Sequence, residues 1–283
     1  MDAVLFVGHG SKDPEGNEEV RRFVSTLEPD LAEPIIETCF LEFEKPDIVQ
    51  GIDACVRRGA TRVAIIPIIL FSAGHAKIHI PAAMDEAKIK YTDVEFVYGR
   101  PVGIHEYVLD ILSARVQGTG FGLDDTAVLI VGRGSSDPDA NSDLYKISRL
   151  YWEKLKAVKW METAFAGVTF PSIEEGIDRC LKLGASKIII IPYFLFTGVL
   201  IKRMEKMISR FKERYPGHDF VLADYFGFHP KLRDILLDRV KEAVQDKVKM
   251  NCDTCQYRVA AMKNAEHHHH HHHHDDHVRG GMQ

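Results

Sequence analysis

Two histidines sit where apolar runs stop and glycine takes over. The run Ala3 to Val7 leads into Gly8-His9-Gly10-Ser11, and the run Val63 to Phe71 leads into Ser72-Ala73-Gly74-His75. Both runs read as buried strands of a parallel sheet, and open α/β sheets bind ligands beyond the carboxyl ends of their strands. In a right-handed α/β unit the first and third strands are commonly neighbours, about 4.8 Å apart. His9 and His75 are therefore expected to face each other across that edge. Glu42, in Phe40-Leu-Glu-Phe43 at the expected end of the second strand, shares it. Two imidazoles and a carboxylate suit Co²⁺, Fe²⁺, Ni²⁺ or Zn²⁺ and leave coordination positions open. A neutral imidazole that titrates near pH 7 is also a proton acceptor.

The elements that must position these groups occur twice. Val7-Gly-His-Gly-Ser-Lys-Asp-Pro14 returns as Val131-Gly-Arg-Gly-Ser-Ser-Asp-Pro138, with six of eight positions identical. Asp53 to Phe71 returns as Asp178 to Phe196 with nine of nineteen identical, at a constant offset of 124 to 125. Each half reads as alternating strands and helices. Strands are expected near 3–8, 35–42, 62–70 and 94–98, and helices near 14–27, 46–58, 77–89 and 104–116. Pro46 fits a helix first turn. The Ile/Val runs do not alternate with polar residues, which indicates burial on both faces and parallel pairing. The fold class is thus α/β, with two similar domains at 1–120 and 124–247. Each is a mainly parallel four-stranded sheet with helices on both faces, and Thr119-Gly-Phe-Gly122 forms a short linker between them.

The repeat is an internal control. Where the first half has His9, Glu42 and His75, the second has Arg133, Gly167 and Leu200. The scaffold therefore needs none of the three, and their chemistry belongs to the first half. His105 and His229, and likewise Cys55 and Cys180, are kept in both halves and read as structural.

Bulk properties narrow the class. A chain of 283 residues with formal charge −5 is not a dedicated nucleic-acid binder, which would be basic. No apolar run reaches the roughly 20 residues of a membrane helix, and no basic segment precedes an apolar one at the N-terminus as in a signal peptide. Five cysteines do not make a disulfide framework, so a reducing, cytoplasmic location is expected. After Lys249 the periodicity ends. The stretch 248–283 carries Cys252-x-x-Cys255, then His267 to His274, Asp275, Asp276 and His277. It has no apolar face and is expected to be mostly disordered. The histidine run reads either as an expression tag or, since further residues follow it, as a native metal-loading or storage tract for Co²⁺, Ni²⁺ or Zn²⁺, and the second is the favoured reading.

The sequence Gly8-His9-Gly10-Ser11, Phe40-Leu-Glu-Phe43 followed by Pro46, and Leu70 through His75 resembles the sirohydrochlorin chelatases, the class II cobalto- and ferrochelatases. The likeness covers both halves, as in long members with a duplicated domain. It implies insertion of a divalent metal into a tetrapyrrole bearing eight carboxylates, with no nucleotide. It implies that His9 and His75 are catalytic and metal-binding, with Glu42 in the same site. Leu70, Phe71, Ser72, Ala73 and Gly74 would contact the macrocycle. Cations must meet the carboxylates; Lys45 and Arg133 are the chosen candidates, with Lys77, Arg100 and Lys202 behind them. Arg133 stands out because it occupies the place of His9 in the second half. The tail's Met-x-Cys-x-x-Cys resembles an iron–sulfur motif of long chelatases. Cys252 and Cys255 would supply half of a four-ligand site, the other two ligands coming from elsewhere in the chain or from a second chain in a homodimer; another metal or a thiol redox role is the alternative.

The expected reaction is insertion of Co²⁺ into sirohydrochlorin on the anaerobic route to cobalamin, with Fe²⁺ insertion for siroheme as the alternative. A non-catalytic metal store or metallochaperone built on the histidine tail is the alternative of another class. A histidine-nucleophile phosphohydrolase is disfavoured, because such enzymes need Arg before the histidine and here Gly8 precedes it.

Overall fold

The computed structural model describes residues 1–245. The first half runs β1 (Asp2–Gly8), α1 (Pro14–Leu27), β2 (Ile35–Phe40), α2 (Ile48–Arg57), β3 (Arg62–Ile68), α3 (Ile80–Lys90), β4 (Glu95–Tyr98) and α4 (Glu106–Gly118). The second runs β5 (Thr126–Gly132), α5 (Pro138–Leu155), β6 (Trp160–Phe165), α6 (Ile173–Lys182), β7 (Lys187–Pro192), α7 (Val199–Arg214), β8 (Asp219–Leu222) and α8 (Pro230–Val244). The sheets are ordered β2-β1-β3-β4 and β6-β5-β7-β8, and every strand pair is parallel. Gly8 pairs with Phe40 on one side and Ile68 on the other. The chain therefore leaves β1, β2 and β3 at one edge.

Local chemistry sets the element ends. Strands β2 and β3 stop at Phe40 and Ile68, two residues before the expected ends, which places Glu42 and Leu70 in loops. The reason for β2 is a turn tied beneath the β1 loop. Leu41 N–H donates to Gly8 O at 3.0 Å and Glu42 N–H to His9 O at 3.1 Å. Pro46 lies before the helix, not in its first turn. Asp47 caps α2, taking the Gln50 N–H at 2.9 Å while Gln50 Oε1 takes the Asp47 N–H at 3.0 Å, a capping box that fixes the start at Ile48. Asp13 and Asp137 cap α1 and α5 ahead of Pro14 and Pro138. His105 and His229 are caps as well. Their Nδ1 atoms accept from Tyr107 N–H at 3.2 Å and Lys231 N–H at 3.1 Å, which explains why both halves keep them.

The two halves interlock. Alternate strand residues point to opposite faces. Val4, Phe6, Ala64 and Ile66 of the first sheet share one core with Val128, Ile130, Ile189 and Ile191 of the second. Helix α8 packs on β3 and β4 of the first sheet, and α4 packs on β7 of the second. Arg239 of α8 donates to Pro101 O at 2.9 Å and Val102 O at 2.8 Å, and its repeat counterpart Arg115 of α4 donates to Phe226 O at 2.7 Å. Each half thus lends its last helix to the other, and the described residues form one compact unit. The other faces are covered within each half, by α2 and α3 on the first sheet and α6 and α7 on the second. Ahead of α3, residues His75–His79 form one turn of π-helix, whereas α7 starts directly at Val199. Among the described residues, no helix is long and apolar enough to cross a membrane.

Candidate active site

A cavity of about 490 Å³ opens where the strand-end loops of the two halves meet. One wall is Ile68 to Phe71 beyond β3; the facing wall is the matching stretch from Tyr193 to Ile201 beyond β7. Phe71 stacks on Tyr193, with ring centres 5.2 Å apart and planes 4° from parallel. The stack joins the two walls, and the cavity beside it is lined mainly by apolar side chains, with His9 and Arg133 among its lining residues.

That loop is rigid by design of the repeated motif. Gly10 has φ +87°, and a Cβ there would lie 1.7 Å from Glu42 O. Only glycine tolerates both that conformation and that approach. Asn17, buried in α1, binds Ser11 through its N–H and its carbonyl, at 2.8 and 2.9 Å. Ser11 Oγ in turn takes the Asp13 N–H at 3.0 Å. Gly134, Ser135, Asp137 and Asn141 repeat the arrangement beside Arg133. The shared glycine, serine and aspartate are architectural, and the residue between the glycines is the variable one.

His9 and Arg133 meet across the cavity mouth. Arg133 Nη1 lies 3.0 Å from His9 Nε2. A guanidinium only donates, so Nε2 carries the lone pair and Nδ1 the proton. Nδ1 lies 3.0 Å from Gly10 O and 3.4 Å from Glu42 Oε1. Burial pushes the His9 pKa below the ordinary 6.5, and the Arg133 charge adds to this; the Gly10 carbonyl and the Glu42 carboxylate oppose it. At pH 7 His9 is a neutral imidazole with a free-energy cost to charging, set beside a carboxylate that steadies the charge once it forms.

The structure sorts the remaining candidates. His75 opens the π-helical turn beyond β3, and its side chain lies outside the described part of the structure. Among the described residues no group of three His, Cys, Asp or Glu side chains is gathered for a metal ion; His9 and Glu42 are the described pair. Leu70, Phe71, Ala73 and Arg133 line the cavity, while Ser72 and Gly74 are not in its lining. Lys45 is not among the lining residues and pairs with Asp47. Lys77, Lys202 and Arg100 do not reach the rim either. Lys77 is buried against Asp137 and Asp139, Lys202 pairs with Asp13 and Glu15, and Arg100 Nε donates to Glu242 at 3.1 Å. All three join one half to the other. The rim cation that sequence reasoning missed is Lys12, which lines the cavity with its Nζ 5.1 Å from the Phe43 ring centre. Its signal was present: Lys12 follows the His9 motif and becomes Ser136 in the second half. Cys39, Cys55 and Cys180 are buried thiols. Burial pushes Cys55 and Cys180 up to about 12 and Cys39 higher, so none is a thiolate at neutral pH. Cys252, Cys255 and the histidine run lie outside the described residues.

Two parallel four-stranded units are fused into one body, and among the described residues only the first carries an imidazole–carboxylate pair at its strand ends. The CbiX family model matches residues 3–119 and again 127–243, so the chain belongs to the CbiX family. It is 60% identical over 272 residues to the sirohydrochlorin cobaltochelatase of Priestia megaterium, covering 94% of this chain and 88% of that one. It is 38% identical over 248 residues to the sirohydrochlorin ferrochelatase of the same organism, covering 87% and 92%. Among solved structures it is similar to SirB from Bacillus subtilis with Fe³⁺, with TM-score 0.77, 33% identity, and coverage of 87% of this chain and 97% of that one.

Proposed function

We propose that this protein inserts Co²⁺ into sirohydrochlorin, without a nucleotide, at the cavity mouth marked by His9. The reading is carried by one observation: a neutral, partly buried imidazole lines a mainly apolar cavity, with a guanidinium of the second half at its rim. The much higher identity to the cobaltochelatase than to the ferrochelatase supports cobalt over iron.

The chemistry follows from the parts. Metallation replaces two pyrrole N–H protons by one divalent ion. The apolar lining of the cavity takes one face of the flat macrocycle, while Arg133 and Lys12 meet its carboxylates at the rim. His9, His75 and Glu42 hold the incoming ion. As the ion passes to the ring, His9 accepts the two pyrrole protons in turn, and Glu42 beside Nδ1 stabilises the imidazolium and relays each proton to solvent before the next is taken. A carboxylate behind an imidazole also raises its basicity, which offsets the burial that keeps His9 neutral beforehand.

The same reading places the reaction in the cytoplasm. It assigns Cys252 and Cys255 to an iron–sulfur cluster, completed in a homodimer; this rests on their spacing and on the family resemblance. The test is visible absorption of sirohydrochlorin with purified protein, offered Co²⁺ and Fe²⁺ in parallel without oxygen, for the full chain and for a chain ending at Lys249. Faster metallation than the protein-free control, retained in the shorter chain, with Co²⁺ preferred, is the expected result. No acceleration with either ion would refute it and return attention to the metal-store reading of the tail.

A further inference from the structure

The repeat relates two lysines that cross between the halves in opposite directions. Lys77, in the π-helical turn two residues after His75, reaches Asp137 Oδ2 at 2.7 Å and Asp139 Oδ2 at 3.1 Å at the start of α5. Its counterpart Lys202, in α7, reaches Asp13 Oδ2 at 2.6 Å and Glu15 Oε2 at 2.8 Å at the start of α1. The acidic partners are themselves repeat counterparts, so the two contacts are related by a pseudo-twofold.

They are not equal. The side chains of Lys77 and Asp137 are 9% and 2% exposed, against 45% and 11% for Lys202 and Asp13. A buried ion pair tolerates little displacement, because desolvated charges are costly unless held in good geometry. Asp137 is well held. It caps α5, its Oδ1 takes the Asp139 N–H at 3.1 Å, and its own N–H donates to Ser135 Oγ at 3.0 Å. Ser135 stands two residues after Arg133. One rigid loop of the second half thus presents Arg133 to His9 and, through Asp137, grips the turn that bears His75. That turn is π-helical only in the half that carries His75, and single π turns recur at functional sites.

We infer that the Lys77–Asp137 pair is a positioning device for His75, through which the second half, lacking ligands of its own, sets the geometry of the metal site in the first. The inference rests on the reading of His75 as a metal ligand. Lys77 and Asp137 lie outside the cavity lining and act as positioning residues.

The test compares two variants of the full chain, Asp137→Asn and Lys202→Met. Each removes one inter-half charge; Asp137→Asn retains a side-chain oxygen for its helix cap, and Lys202→Met leaves the Asp13 cap in place. Loss of an outer partner that orients a ligand typically costs ten- to a hundredfold in metal affinity. Asp137→Asn is expected to raise the KM for Co²⁺ about tenfold with the KM for sirohydrochlorin unmoved, and Lys202→Met to leave both unchanged. Lys77→Met with Asp137→Asn removes both buried charges together, leaves only the exposed Asp139 without its lysine, and is expected to show the same rise. An unchanged Co²⁺ KM in the double variant overturns the inference, and so does an equal rise in Asp137→Asn and Lys202→Met, which would report general loosening between the halves. His75→Ala is run alongside: wild-type turnover there would instead refute the site reading itself.

Discussion

Arg133→Ala tests the site most directly, because the guanidinium has two consequences that pull apart in an assay. The first is substrate binding. A hydrogen bond to a charged group contributes about 1.5–3 kcal/mol. Arg133 is exposed at the rim, so the lower figure applies, and 1.4 kcal/mol is a factor of ten. The KM for sirohydrochlorin is expected to rise roughly tenfold, with kcat changed much less. The second consequence is electrostatic. The Arg133 charge is one of the causes that hold the His9 pKa below its ordinary value. Without it, His9 binds a proton more readily. Because metallation requires the unprotonated imidazole, the acid limb of the pH profile should move to higher pH. Burial remains the largest cause lowering the His9 pKa, so activity at pH 8 should keep its kcat. Initial rates by visible absorption, at varied sirohydrochlorin and across about pH 5.5–8.5, read both effects. An unchanged KM refutes the carboxylate contact. An acid limb that stays in place or moves to lower pH refutes the coupling between Arg133 and His9.

Other consequences follow from the same geometry. His9→Ala should lower kcat by at least about a hundredfold, the scale of a lost general base. Its circular-dichroism melt should stay near wild type, since His9 lies in a loop outside the core; wild-type turnover would exclude it from the reaction. His105 and His229 cap helices through Nδ1, and burial lowers both pKa values below 6.5. The unfolded chain therefore binds more protons below pH 6.5, so their contribution is complete above that pH and is lost as pH falls through the folded values. Urea midpoints should drop between pH 7.5 and 5.5, and His105→Asn with His229→Asn, which keep caps, should flatten that drop. A chain ending at Gly122 lacks α8, which covers β3 and β4. It should not fold as a monomer, as sedimentation and circular dichroism would show, and a stable monomer would contradict the helix exchange.

Much of this protein is legible in the sequence because it depends on local rules. Unbroken Ile/Val runs require strands buried on both faces, glycine after them marks the exits, and the offset of 124 to 125 reveals two copies of one plan. Comparing the copies separates His9, Glu42 and His75 from the motif that merely shapes their loops. Strand ends and the start of α2 were displaced by a few residues, since they hinge on side-chain caps and on a turn tied to a neighbouring strand. The roles of the cations required the tertiary structure. Lys77, Lys202 and Arg100 look alike as isolated charges, and only Arg133 is set apart in the sequence, by its place opposite His9 in the repeat. Their roles are decided by how the halves pack through exchanged α4 and α8, which buries Lys77 against Asp137, sends Arg100 to Glu242, and leaves Arg133 beside His9. A strand is dictated by its own residues and their immediate neighbours, whereas the partner of a long charged side chain is dictated by which surfaces the whole fold brings within a few ångströms of it.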